Sequence, residues 1–295
     1  MAHIFLYFLA LFSLSTAPNW AKLNHMPAEV LGFYRLFGAT LILSLLIFIK
    51  KQKIQFKLNQ TFYWSLTSAF FFFLHLWTYK YAAKHTLVAN TMILFATNPI
   101  WASIGGLLFF QEKIKSRVIF SYALAFTGTL ILVFENLKFS PENNSGNIIA
   151  LISAFVYAAY MITSKKARAH SSNEQYALIQ YSVTAICFLG LSLITQARLT
   201  GYDHISWWSV LGLIALPTFL GHFSFTYLVK HMNLAFMTCG KLIEPVIASI
   251  IAYYLFSEKL GSMAFLSFSL TGISVLLLFW PSLSKTFKKT PDSNL

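Results

Sequence analysis

Ten apolar stretches follow one another along this chain of 295 residues, with little between them but short polar turns. A helix that crosses a bilayer needs about 20 mostly apolar residues. The stretches run Ile4–Trp20, Ala28–Ile49, Thr61–Ala82, Leu87–Phe110, Val118–Phe134, Asn147–Thr163, Tyr176–Gln196, Trp207–Val229, Leu234–Phe256 and Ser262–Pro281. Composition agrees: 57% of the residues are hydrophobic and 11% charged. A soluble domain carries roughly a quarter charged residues and cannot hide so much apolar side chain without large exposed patches. A soluble fold and a disordered chain are both excluded. The expected fold class is an all-α polytopic membrane protein of ten transmembrane helices.

The first stretch has no Lys or Arg ahead of Ile4, as a secretion signal would require, although Ser15-Thr16-Ala17 resembles a cleavage site. It reads as the first membrane helix. Trp20, Trp64, Trp207, Trp208 and Trp280 lie at segment ends, as an interfacial aromatic belt places them. Cys187 and Cys239 sit in apolar stretches and form neither a disulfide framework nor a zinc spacing.

The polar stretch Pro141-Glu142-Asn143-Asn144-Ser145-Gly146 divides the stretches five and five. Sliding the chain against itself by 146 residues exposes a duplication. Tyr81, Lys84 and His85 fall on Tyr227, Lys230 and His231, Pro99 falls on Pro245, and Glu112-Lys113 fall on Glu258-Lys259. From Tyr81 to Lys113 there are 11 identities in 33 ungapped positions. Apolar helices match by chance, so the polar coincidences carry the inference.

A repeat with an odd number of spans must insert its second copy upside down, giving an inverted-topology repeat. The expected units are 1–140 and 141–283, followed by a tail at 284–295. With the N-terminus in the cytoplasm, the inner loops and tail hold fourteen cations: Lys50, Lys51, Lys53, Lys57, Lys113, Lys115, Arg117, Lys165, Lys166, Arg168, Lys230, Lys285, Lys288 and Lys289. The outer loops hold six: Lys22, Lys80, Lys84, Lys138, Arg198 and Lys259. That bias places both termini inside. It also gives the net charge of +13 a role in orientation, so no nucleic-acid partner is implied. Arg35 and Lys241 are left within the membrane.

Asn98-Pro99-Ile100-Trp101-Ala102-Ser103, followed by Phe109-Phe110-Gln111-Glu112-Lys113 and Gly128, resembles the repeat signature of the EamA family in the drug/metabolite transporter superfamily. Glu244-Pro245-Val246-Ile247-Ala248-Ser249, with Glu258-Lys259 and Gly272, resembles the same signature, and Gly32-Phe33-Tyr34-Arg35-Leu36-Phe37 is similar to the family's second-helix pattern. The resemblance implies a carrier of small metabolites, often an exporter of amino acids or related solutes, in the plasma membrane (a bacterial inner membrane). It implies a central cavity lined by helices one to four and six to nine, with helices five and ten peripheral. Two departures fall on those peripheral helices, where Tyr122 and Phe268 stand in place of the family's usual glycine.

Charged residues inside a membrane are costly and mostly face protein or water. Arg35 reads either as a cavity cation or as a snorkelling residue that pins its helix. Lys241 and Glu244, three residues apart, share a helix face, and Glu244 precedes the helix-interrupting Pro245. They read as a cavity-lining pair, with a proton-coupling role disfavoured because a carboxylate beside a Lys stays ionised. Asn98 is the repeat partner of Glu244. His75 and His222 occupy near-equivalent points and suit an interhelical hydrogen bond or a substrate contact. Trp77, Tyr79 and Trp101 are candidates for stacking on a flat or cationic solute. Glu112 and Glu258 end helices four and nine and read as structural ties.

A membrane enzyme would need clustered acids or histidines, or a nucleophile with its base, and no such spacing occurs. A duplicated inverted core favours alternating access over a static channel. No ATP-binding motif is present and no cofactor is expected, so active transport would draw on a gradient. The expectation is a secondary carrier with a small polar solute and the bilayer as its partners. An uptake carrier for a nucleotide-like or cationic metabolite is the alternative.

Overall fold

A computed structural model describes residues 2–53, 58–134, 137, 140–257, 260 and 262–287. Among these the chain is helical throughout, with no strand. In the first half the helices are α1 (Ala2–Ser15), α2 (Ala17–Lys22), α3 (Ala28–Ile49), α4 (Gln60–His85), α5 (Val88–Phe95), α6 (Asn98–Phe110) and α7 (Ser116–Val133). The second half holds α8 (Asn144–Ala169), α9 (Asn173–Ile194), α10 (His204–Leu213), a π-helical stretch Ile214–Phe223, α11 (Ser224–Leu228), α12 (Leu234–Gly240), α13 (Glu244–Phe256) and α14 (Ala264–Phe287).

Eight stretches among the described residues are long and apolar enough to cross a membrane: Ala2–Lys22, Ala28–Ile49, Asn90–Phe110, Ser116–Val133, Pro141–Ala169, Asn173–Ile194, His204–Leu228 and Leu234–Phe256. The other two expected segments are helical as well. Of these, α4 runs 26 residues but carries His75, Lys80, Lys84 and His85, which dilute its apolarity, while the apolar part of α14, Ala264–Trp280, is shorter. Of the expected helix-end ties and loop cations, Glu258, Lys57, Lys138, Lys259, Lys288 and Lys289 lie outside the described residues.

Lipid offers no hydrogen bonds, so these helices must satisfy their polar groups internally. Asn59, Ser172, Asp203 and Asn233 cap the first turns of α4, α9, α10 and α12 by accepting from backbone N–H groups. Within spans, hydroxyls turn back on their own helix: Ser65 Oγ donates to the Thr61 carbonyl at 2.8 Å and Thr78 Oγ1 to that of Leu74 at 2.6 Å.

The duplication is visible in the backbone. The bounds of α6 and α13 lie 146 residues apart, and both helices end on a left-handed residue, Gln111 and Ser257, each with φ 54°. Packing partners exchange between halves: α4 lies along α8 as the π-helical stretch lies along α1. Equivalent helices also pack on each other. In the pair of α7 and α14, Ser267 Oγ donates to the Gly128 carbonyl at 2.7 Å and Ser274 Oγ to that of Ser121 at 2.6 Å. These two contacts interconvert under the 146-residue offset and make the two helices antiparallel. α3 and α9 are antiparallel too, with Glu29 near Thr195 and Gly32 near Phe188. Close approach at Gly128, where an added Cβ would sit 2.4 Å from Thr271 Oγ1, accounts for the glycine there. Tyr122 and Phe268 are accommodated beside this seam, Tyr122 with its hydroxyl directed at the Ala96 carbonyl at 3.4 Å.

Candidate functional site

Three prolines interrupt helices near the middle of the bundle, and each leaves the carbonyl four residues earlier without its usual donor. Pro99 strands the Phe95 carbonyl between α5 and α6; Asn98 Nδ2 donates to it at 2.9 Å. Pro217 strands the Leu213 carbonyl; Thr218 Oγ1 donates to it at 2.8 Å, and the chain winds as a π-helix from Ile214 to Phe223. Pro245 strands the Lys241 carbonyl between α12 and α13; the Glu244 backbone N–H takes it in a short 3-10 turn, Lys241–Ile243. Single π segments inside helices mark functional positions in many proteins.

The breaks bring charge to the centre. Lys241 Nζ lies 2.9 Å from Glu244 Oε1, a close ion pair. The Lys241 ammonium sits over the rings of Tyr157 in α8 and Phe225 in α11, 4.9 and 5.4 Å from their centroids. Such ring faces stabilise a desolvated cation. Tyr7 in α1 stacks on Phe225 at 5.4 Å and donates its hydroxyl to the Met237 carbonyl at 2.7 Å.

His75 stands against the same tyrosine. Its ring meets Tyr157 edge-on at 4.8 Å and stacks on Phe95 at 5.2 Å, while Nδ1 is 3.1 Å from Ser153 Oγ. The interhelical hydrogen bond expected of His75 is therefore present. Tyr79 packs edge-on against Phe95 at 5.1 Å and joins the same group. His222 meets Phe72 edge-on at 4.9 Å, and lies within electrostatic reach of Arg35, Lys241 and His75. Arg35 is buried, and its Nε donates to Thr218 Oγ1 at 2.8 Å. One hydroxyl thus repairs the π-helix and holds the arginine inside the protein.

Asn98 is buried at the first turn of α6, its Oδ1 without a hydrogen-bond partner. Two aromatic candidates lie elsewhere. Trp101 is 38% exposed and meets exposed Phe155 edge-on, and Trp77 is 37% exposed on the side of Tyr81 and Ile148. Sequence reading missed Tyr157, Phe225 and Thr218. Thr218 had a signal in the preceding Pro217, but Tyr157 had none, since its repeat position is Leu11.

Glu112 does tie a loop to its neighbours. It pairs with Lys165 at the end of α8, and its Oε2 accepts from Leu234 N at 2.9 Å at the start of α12. Lys165 also donates to the Met232 carbonyl at 2.8 Å and lies 5.3 Å from the Phe110 ring centre. Lys22 lies over Phe256, the repeat equivalent of Phe110, at 4.5 Å.

The sequence profile of the EamA-like transporter family matches residues 1–134 and again 144–280. An uncharacterized transporter of Clostridium kluyveri is 23% identical over 243 residues, covering 79% of this chain and 77% of the relative. One from Archaeoglobus fulgidus is 26% identical over 198 residues, 65% of this chain and 67% of its own. The uncharacterized transporter YojE of Bacillus subtilis is 20% identical over 273 residues, 88% and 86%. A protein known from a crystal structure superposes with a TM-score of 0.81 at 14% identity, over 94% of this chain and 98% of that one, a likeness of fold alone.

Proposed function

The chain belongs to the EamA-like transporter family, and on that footing we propose that it is a secondary carrier that moves a small polar metabolite across the plasma membrane by alternating access. The solute is an amino acid or a related compound, and export is the favoured direction. The moving parts are two inverted five-helix halves, 1–140 and 141–283, with both termini and the tail 284–295 in the cytoplasm. Arg35, Asn98, Lys241, Glu244, His75, His222 and Tyr79 line the route.

One observation carries this reading. Helices broken at equivalent points of the two halves bring a buried ion pair, Lys241 and Glu244, against residues of α4, α8 and α11 at the core of the bundle. Broken helices around a midplane site are how inverted-repeat carriers expose polar backbone and charge without exposing them to lipid. The antiparallel packing of α7 on α14, and of α3 on α9, supports the inversion, and the excess of Lys and Arg in alternate loops supports the orientation.

Tracer counterflow in proteoliposomes tests the reading. Vesicles preloaded with a metabolite extract, fractionated until one pool drives uptake of its own labelled component, show transient accumulation if the protein is a carrier. A channel gives only equilibration, and that outcome removes alternating access. Glu244→Gln is expected to reduce the counterflow rate at least tenfold; unchanged kinetics at every pH would take Glu244 out of the mechanism.

A further inference from the structure

Of the buried cations Arg35, Arg168 and Lys241, Arg35 has a buried nitrogen without a partner. It lies on the second turn of α3, about 10 Å along the helix from its start at 1.5 Å per residue. It is only 8% exposed. A guanidinium has five N–H donors in a rigid fork. Thr218 Oγ1 takes the one on Nε, while Nη2 is buried with no partner. Among the described residues the ion pairs are His25–Asp203, Lys165–Glu112 and Lys241–Glu244, and none offers Arg35 a carboxylate. Its titratable neighbours are Tyr181, Lys80 and His222. Lys80, on α4, donates to the Ala28 carbonyl at 3.2 Å, at the start of the helix that carries Arg35.

The local charge is therefore unbalanced. Lys241 is neutralised by Glu244 and Lys80 lies within electrostatic reach of Glu29, whereas Arg35 has no acid of its own. A buried cation without a counter-charge is expensive in a medium of low polarity. A buried donor without a partner in a native fold marks a place where water, an ion or a ligand is to be expected. The Arg35 side chain is also held in place beforehand: the hydroxyl that fixes Nε is itself fixed by the Leu213 carbonyl in the π-helix, and Nη2 is left unpartnered. Planar, two-pronged pairing with a carboxylate or phosphate is what such a fork does best.

We propose that Arg35 is the anion anchor of the transport site, so that the solute carries a carboxylate or phosphate group, paired at the free edge of the guanidinium when the bundle opens. This deepens the carrier reading and rests on it. The aromatic walls nearby, Tyr181, Phe72 and His222, suit a flat or apolar body on that anion. A cationic solute would meet the Arg35 charge without compensation and is disfavoured.

Four probes of one body separate these cases: phenylacetate, phenyl phosphate, phenylacetamide and phenethylammonium. Each is titrated against the full chain in detergent, with affinity read by calorimetry and by the shift in Tm. At least one anion is expected to bind about tenfold tighter than the amide, the scale of a charge-assisted hydrogen bond, with no shift from the cation. Which anion leads distinguishes carboxylate from phosphate. Arg35→Gln should bring the anion to within about twofold of the amide, and Arg35→Lys should keep part of the preference. Thr218→Val, which retains the charge but frees the fork, should weaken the anion alone. If R35Q does not stay monodisperse, the wild-type ranking with T218V decides. An amide or cation that binds as tightly as both anions, or a set in which none binds, overturns the anchor. Counterflow with the metabolite extract is scored separately, so a carrier without an anion site and an anion site without transport are told apart.

Discussion

The two broken helices are the same device built twice with different chemistry. In the first half, positions 95 and 98 are Phe and Asn; 146 residues later they are Lys241 and Glu244. Both members of the first pair of equivalents face Tyr157: the Phe95 ring centre is 5.6 Å from that of Tyr157, and the Lys241 ammonium 4.9 Å from it. The backbones differ in their repair as well. Asn98 spends its side-chain amide on the carbonyl that Pro99 strands, whereas Glu244 uses its own N–H and keeps its carboxylate for Lys241. The duplicated scaffold fixes where the break falls, and divergence at two positions per copy decides what the break presents. At the break itself the first half presents an aromatic and a neutral amide, and the second presents an ion pair.

The largest effect is expected where the charge is. Lys241→Met leaves Glu244, 23% exposed, beside an apolar side chain; breaking a fully buried pair costs about 3–5 kcal/mol, which bounds the loss from above. The folded yield in detergent should fall, with a large drop in Tm. The double change Lys241→Phe with Glu244→Asn copies the first half into the second. It should recover most of the lost Tm and still fail in counterflow. A transporting double variant would mean that the two breaks are interchangeable, and the contrast drawn between them would collapse.

Next in size is the carbonyl repair in the first half. Asn98→Leu strands the Phe95 carbonyl, a loss of about 1–3 kcal/mol for an unsatisfied buried acceptor. Pro99→Ala returns a backbone donor to that carbonyl, so P99A should rescue N98L. The rescue is read as a coupling energy in a double-mutant cycle of thermal unfolding. Additive losses would show that Asn98 acts through something other than the Phe95 carbonyl. At the second break the same logic predicts no such coupling, because the Glu244 side chain takes no part in the repair.

Much of this arrangement was legible in the sequence because it rests on spacing. The offset of 146 placed α6 and α13 residue for residue, and three-residue spacing put Lys241 and Glu244 on one face. What could not be read was rotation. Trp77 and Trp101 looked like Tyr79 as candidates, yet only Tyr79 turns inward, since an aromatic side chain is as welcome in lipid as in a cavity. Helices four and eight read as continuous because apolar composition does not register a break, whereas the interruption at Pro245 in helix nine was legible. The signals were Pro99, Pro217 and Pro245, and their consequence depended on whether a side chain next in line could reach the stranded carbonyl. Arg35 was ambiguous in sequence for a related reason: its partner, Thr218, lies 183 residues away in a helix whose winding no pattern revealed.

A smaller effect separates the ends of the two halves. Glu112→Gln keeps acceptors for Leu234 N and Lys165 and removes only the charge, so the loss should be about 1 kcal/mol, the difference between a charged and a neutral hydrogen-bond acceptor. Glu112→Ala should cost more, because α12 also loses a partner for one of its first N–H groups. Equal Tm values for the two variants would mean that the contact with Leu234 contributes nothing.

The smallest effect lies at the solvent edge, where the halves are joined by the loop before α3 and the start of α10. Asp203 accepts from Ser206 N at 2.8 Å as the cap of α10, and its other oxygen is 2.7 Å from His25 Nδ1. Bonding to Ser206 first, and to the His25 ring second, holds the carboxyl down to about 2 from its ordinary value of 3.8. A carboxyl depressed by folding binds fewer protons in the folded state than in the unfolded one. Its contribution is therefore complete above about pH 4 and fades as the pH falls from there toward about 2. Asp203→Asn retains a capping oxygen and removes the charge, so it reads how much the bond to Ser206 and the contact with His25 depend on that charge. Thermal unfolding of D203N and the natural chain should differ slightly at pH 5 and converge as the pH approaches 2.5. Curves that diverge instead over that interval would show that the cap, rather than the charge, is what joins the two halves here.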